Sequence, residues 1–323
     1  MDIVKNLRNI TKEEAIKSYK DLKEVPCSDA QLTLGRAGTK ALDYYFFQHR
    51  IKAKTKRHIS FYEAVKMPDK VLFLNKLVEK YKHKDPLTLS RSSLLKNQYM
   101  VFQLYYGTIN QFRPIAAKWL YCKLKPKVGI MDFSAGWGGR CLAAMSLGIP
   151  YIGVDSNTKL KSAYNSILRY EPDANVKMYF QPSETFDFSK HKYDLIFTSP
   201  PYYTLEEYEH MPQYLSKRNF YDRFLIPVVM NAWKNLLPNG KMALNMPAEL
   251  YEAIKNKLPK LTTTYELPLA SRHPVAAAQG ISITENTTAR KELIYVWHKR
   301  GHPTRKTTRG SKSKTLKNLR YIH

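Results

Sequence analysis

The 323-residue chain carries 53 Lys and Arg against 27 Asp and Glu, for a formal charge of +26 at pH 7. Such an excess attracts polyanions over a long range and speeds encounter, which points to a nucleic-acid partner. The 43% hydrophobic content suffices for a packed core, while no apolar run approaches the roughly 20 residues of a membrane helix, which speaks against a membrane partner.

The first hundred residues read as a basic, mostly helical region. Thr11-Lys12-Glu13-Glu14 has the form of a capping box opening a helix. Residues 41–47, Ala-Leu-Asp-Tyr-Tyr-Phe-Phe, are rich in aromatics, and Arg50, Lys52, Lys54, Lys56 and Arg57 follow. That mixture suits a surface gripping a nucleic-acid backbone, or equally a core helix with a solvated end. Residues 71–81 have apolar side chains at helical steps. Residues 85–93 read as a loop and a plausible boundary. The region is expected to dock on a catalytic domain, to read DNA, or both.

Residues 101–300 alternate strand and helix patterns, which predicts an α/β sheet. Residues 115–124 read as a helix and 128–133 as a strand. Ser134-Ala135-Gly136-Trp137-Gly138-Gly139-Arg140 is a glycine-rich turn into a helix over 141–147, and such turns let a ligand approach the backbone. The strand over 151–155 ends in Asp155, about twenty residues on, the spacing of an acid that accepts ribose hydroxyls. The phosphate-cradling pattern GxxxxGK[ST] is absent, which argues against a P-loop triphosphatase. A helix over 157–170 and a strand over 176–180 follow, with Ser183 and Glu184 at a strand edge.

The strand over 193–198 runs into Ser199-Pro200-Pro201-Tyr202. Two prolines forbid further ladder pairing and hold the backbone stiff. A hydroxyl and a proline carbonyl then stand at the carboxyl edge of a strand, where open α/β sheets bind ligands. With the ring of Tyr202 beside them, they suit gripping the exocyclic amine of a stacked base. Residues 204–223 carry Tyr, His, Lys and Arg and read as a loop and early helix over the site. A helix over 220–237, strands over 241–246, 263–269 and 292–298, and a connection over 272–290 complete the pattern. Residues 301–323 hold no acid and many Lys and Arg, the composition of a disordered, phosphate-contacting tail.

The three cysteines share no metal-ligand spacing and cannot all pair. Pro26-Cys27 reads as a loop thiol, and Cys122 and Cys141 as small core residues. That Pro-Cys pair lies about a hundred residues before the glycine turn. Low cysteine usage without a secretory signal predicts a soluble protein in a reducing, intracellular setting, cytoplasmic or nuclear.

With these motifs in this order, residues 110–299 resemble the amino-methyltransferases that use S-adenosylmethionine to methylate exocyclic amines of nucleobases. In that family a D-x-F-x-G-x-G turn binds the methionine part of the cofactor. Asp132, Gly136 and Gly138 stand at the expected steps, while Phe133 is one position early and Ser134 takes the usual Phe place. Asp155 matches the family's ribose acid, and Ser199 to Tyr202 match its catalytic (D/N/S)-P-P-(Y/F/W). Asn110-Gln111-Phe112-Arg113-Pro114 resembles the segment that lines the cofactor site. The resemblance implies a seven-stranded Rossmann-like methyltransferase sheet with an N-terminal helical extension. It implies methyl transfer from S-adenosylmethionine to a DNA base without a metal, with a leading Ser commoner for cytosine N4 than adenine N6. An RNA base methyltransferase, or a non-catalytic nucleic-acid-binding subunit of the same fold, is the alternative.

Overall fold

The computed structural model describes residues 2–28, 35–55, 57–201, 206–207, 214–268 and 291–301. Its centre is a seven-stranded sheet: β1 (Ile130–Asp132), β2 (Tyr151–Asp155), β3 (Val176–Phe180), β4 (Leu195–Thr198), β5 (Lys241–Asn245), β6 (Thr263–Pro268) and β7 (Lys291–His298). The spatial order is β3-β2-β1-β4-β5-β7-β6. The first five strands are parallel, and β7 runs antiparallel between β5 and β6. The fold is therefore the expected α/β Rossmann-like sheet. The chain steps outward from β1 to β3, then returns to place β4 on the other side of β1. That reversal opens a crevice at the carboxyl ends of β1 and β4.

Strands covered on both faces need continuous apolar runs rather than alternation. β1 and β4 are buried throughout, and their successive side chains divide between two cores. Ile130, Leu195 and Phe197 face one, and Met131, Ile196, Met242 and Leu244 face the other.

The N-terminal region is part of the sheet's covering. Helices α1 (Lys12–Glu24) and α2 (Thr39–Arg50) place Tyr19, Leu22, Ala41, Leu42 and Phe46 in the first core. The capping box that opens α1 is present, with Thr11 and Glu14 bonding each other's backbone N–H. Helices α3 (Pro68–Lys82) and α4 (Arg91–Tyr106) form a third core with Phe47, Ile51 and Phe61. Helix α4 runs through residue 100 and stops at Gly107, whose φ of 109° ends it. The expected loop over 85–93 is correspondingly shorter, because Ser90 caps α4 by accepting the Ser93 N–H.

Helices α5 (Pro114–Leu124), α6 (Gly139–Ser146) and α7 (Lys161–Ile167) complete the first face. The second face carries α8 (Ile226–Asn235) and α9 (Ala248–Ile254). Before α8 the helix starts at Lys217 and widens into a π turn over Tyr221–Leu225. Pro227 sits just beyond; it has no N–H to give Arg223, which favours the wider turn.

Two sequence expectations are corrected here. Arg50 is not a surface grip. It is buried and, with Arg8, pairs with the buried Asp43. Cys27 is not a loop thiol: it forms a disulfide with Cys122 on α5. The fold brings their Cα atoms within 5.7 Å across a separation of 95 residues, which no spacing rule detects. Cys141 is free and buried as expected. The expected tail over 301–323, apart from Gly301, and the connection over 272–290 lie outside the described residues. Among the described residues no helix is long and apolar enough to cross a membrane.

Candidate active site

The glycine turn is held from below by a buried ion pair. The Asp132 carboxylate at the end of β1 accepts hydrogen bonds from Arg140 Nε at 2.6 Å and the Tyr151 hydroxyl at 2.6 Å. Arg140 also donates to the Ser134 carbonyl, so one guanidinium ties strand, turn and α6 together. Burial works against the Arg140 charge, but Asp132 more than restores it, and its pKa lies above the ordinary arginine value.

Gly136, Gly138 and Gly139 serve three different needs. Gly136 has φ +58°, and a Cβ there would meet only the Ser134 carbonyl at 3.8 Å, so it would take up room in the cavity. Gly138, at φ +76°, backs onto Phe46 and Leu42. Gly139 lies so close to the 110–112 segment that a Cβ would sit 1.9 Å from the Phe112 carbonyl oxygen.

Asp155 ends β2 beside this turn. Its carboxylate accepts the Gly136 N–H at 2.7 Å and the Asn157 N–H at 2.8 Å. Burial lifts its pKa to about 6, although these two backbone hydrogen bonds pull the other way. It remains mostly ionised at neutral pH and keeps lone pairs for further donors.

Across the crevice, β4 delivers Ser199. Its hydroxyl donates to Asn245 Oδ1 at 3.3 Å, and Asn245 Nδ2 donates to the Leu293 carbonyl at 3.2 Å. The second contact fixes which way the amide points, and therefore which way the Ser199 proton points. The serine oxygen keeps its lone pairs as acceptors. Pro200 is buried and Pro201 half-buried. Tyr202 lies outside the described residues. Glu292 on β7 stands near Asn245; burial raises its pKa, opposed by the Arg113 charge and the Asn245 amide.

These groups share one cavity of about 200 Å³. Its wall brings together Phe133, Ser134, Gly136, Asp155, Ser199, Pro200 and Pro201 of the sequence-predicted residues. Asp132, Gly138 and Arg113 are not on it: the first two brace the turn, and Arg113 immediately precedes α5. The edge residues Ser183 and Glu184 are on the wall. Ser183 donates to the Phe133 carbonyl, and Glu184 accepts from the Tyr214 hydroxyl at 2.6 Å.

Sequence reasoning missed Arg140, Asn245 and Glu292 as site residues. Asn245 had a signal, a polar residue closing the apolar run Met242-Ala243-Leu244 at a strand's carboxyl edge. Arg140 and Glu292 had none.

The wall fits the cofactor that the resemblance implies. Asp155 can accept hydroxyl hydrogens, and Gly136 leaves room for a close approach. Gln111 Oε1 is buried on the wall with no hydrogen-bond partner among the described residues. A buried acceptor of this kind is costly unless a ligand completes it. Among the described residues, no group of three or more His, Cys, Asp or Glu could hold a metal ion.

No family model matches the chain, and no curated protein does. Among solved structures it is similar to TrmN from Thermus thermophilus, at 12% identity over 66% of this chain and 68% of that one, with a TM-score of 0.41. It is similar to an rRNA methylase from Streptococcus thermophilus at 12% identity, over 60% of this chain and all 100% of the other, with a TM-score of 0.39. The YcgJ protein from Bacillus subtilis is similar at 14% identity over 58% and 98% of the two chains, with a TM-score of 0.38. At this distance no activity passes from them to this chain.

Proposed function

We propose that the chain is an S-adenosylmethionine-dependent methyltransferase acting on the exocyclic amine of a nucleic-acid base, with DNA cytosine N4 favoured over adenine N6. The observation that carries the reading is the meeting of Asp155 and Ser199-Pro200 in one cavity, across the reversal between β1 and β4. When bound there, the cofactor supplies an electrophilic methyl group.

The chain's own residues would do the rest. Asp155 and Gln111 would hold the cofactor's donors, and the turn at Gly136 would let it lie against the backbone. An exocyclic amine is a weak nucleophile because its lone pair is delocalised into the ring. The Ser199 oxygen and the Pro200 carbonyl would each accept one amine hydrogen, drawing the nitrogen towards tetrahedral geometry. Asn245 keeps the serine proton turned away, so that Ser199 acts as an acceptor. The amine held in this way would be ready to take up the methyl group that the bound cofactor would supply, with the displaced amine proton passing to water. Catalysis of this kind is positioning and electrostatics. Tyr202 would stack on the base, which must be flipped from a duplex or taken from a single strand.

The test is incubation of purified protein with labelled S-adenosylmethionine and, separately, unmodified DNA and RNA, followed by nucleoside mass spectrometry. N4-methylcytosine in DNA is the expected product. N6-methyladenine would overturn the choice of base, and label only in RNA would overturn the choice of nucleic acid. Absence of cofactor binding would replace the enzyme with a non-catalytic binding subunit.

A further inference from the structure

A basic turn in the N-terminal region is joined by its backbone to the segment that follows the catalytic tetrapeptide. Lys54 and Thr55 pair antiparallel with Glu207 and Glu206. Only four residues, 202–205, lie between Pro201 and Glu206, and an extended chain spans at most about 3.6 Å per residue. The turn after Thr55 therefore lies within about 30 Å of Pro201.

This turn is built rather than loose. The Thr55 N–H and hydroxyl both donate to the Ile59 carbonyl, and the Arg57 N–H donates to the Thr55 hydroxyl. Arg57 is thereby presented at the tip, exposed, with its guanidinium 4.1 Å from the Tyr105 ring centre. No carboxylate among the described residues pairs with it. Beside it, exposed Lys52 and Lys66 lie over the Tyr62 ring at 5.3 and 3.8 Å. Residues 52–66 hold five Lys and Arg against one acid, Glu63, which is spent capping Ser60. Rings under cations fix the charges at low entropic cost, which a surface made only to be soluble does not need.

Resting on the function proposed above, we propose that Lys52, Lys54, Arg57 and Lys66, fixed by Tyr62 and Tyr105, dock the phosphodiester backbone of the substrate strand beside the target base. The occupant is a nucleic-acid strand because no ion pair among the described residues neutralises these charges, although Glu207 stands opposite Lys54 on the paired strand, and because they are clustered and tied to the segment after Pro201. At about 3.4 Å per nucleotide of stacked strand, the contact falls within roughly nine nucleotides of the methylated base.

The test is fluorescence-anisotropy titration of the full chain with a labelled 30-nucleotide single-stranded DNA at several salt concentrations. Each lost phosphate contact lowers the log–log salt slope by about 0.7 for a single strand. Arg57→Ala and Lys66→Ala should each show that drop with affinity reduced several-fold, while Arg57→Lys keeps the slope. Tyr105→Ala should weaken binding about threefold at an unchanged slope, because it frees the guanidinium without removing its charge. Far-UV circular dichroism checks that each variant is folded. A folded Arg57→Ala variant with wild-type affinity and slope overturns the proposal. The readout is binding, so it separates the two ideas. A wild-type protein that docks DNA here but transfers no methyl group would remove the enzyme and leave the dock.

Discussion

Asp155 keeps two acceptor oxygens beside the glycine turn, and on the proposed function its pKa of about 6 would set a pH limit on cofactor binding. Burial is the main cause; Asp132 adds to it and Arg140 opposes it. Ribose hydroxyls need the ionised form, so affinity should be flat above pH 7 and fall as pH drops through 6, by up to about tenfold per unit. Calorimetry across pH 5 to 8 tests this, with Asp155→Asn expected to bind weakly and show no such pH dependence. PH-independent wild-type affinity down to pH 5 would remove Asp155 from the site. Gly139→Ala forces a Cβ against the Phe112 carbonyl and so displaces the wall at Gln111. It should weaken cofactor binding at least tenfold. Gly148→Ala meets nothing within 4 Å but sits at φ +65°, so it should cost only about 1 kcal/mol of stability. Equal cofactor binding by the two variants would contradict this geometry. Ser199 and Asp155 were legible because a polar residue ending an apolar strand marks a sheet edge. Asp132 and Gly138 were legible as positions but not as roles, since spacing does not say which way a side chain points. Nothing near Arg140 in the sequence shows that it turns back eight residues to Asp132.

Each strand of the sheet was legible in the sequence, β1 and β4 as apolar runs, and the third was placed at its observed bounds, Val176–Phe180. What the pattern did not show is where the N-terminal helices go. Amphipathicity shows that a helix buries one face; it does not name the partner. Helix α2 is the example. Phe46 is fully buried, meets Tyr164 edge-to-face at 5.1 Å and closes on Gly138. It joins the N-terminal region to the base of the glycine turn. Phe46→Ala should therefore destabilise the whole sheet by about 3–5 kcal/mol. Denaturant unfolding followed by far-UV circular dichroism would show this as one shifted transition. A separate early transition with the sheet unaffected would mean that the N-terminal region is an independent domain. The same helix explains why Arg50 was misread. In sequence it begins a basic run, whereas in the fold its position seven residues after Asp43 places it beside that carboxylate in the core.

At the scale of the molecule, a net charge of +26 is laid over a sheet with a cavity at the reversal between β1 and β4. Charge of this size brings a polyanion to the surface at a rate that falls with salt. It does not choose a base; on the proposed function that choice would rest on Ser199, Pro200 and the groups behind them. The central claim is that Ser199 acts on the amine and Asp155 on the cofactor, across one cavity. Methyl-transfer turnover by Ser199→Ala, at saturating S-adenosylmethionine and with cofactor affinity measured in parallel, tests it most directly. Turnover should fall at least a hundredfold, about 2.7 kcal/mol of transition-state stabilisation, with cofactor affinity within twofold of wild type. Unchanged turnover would contradict it, and so would a loss wholly explained by weaker cofactor binding.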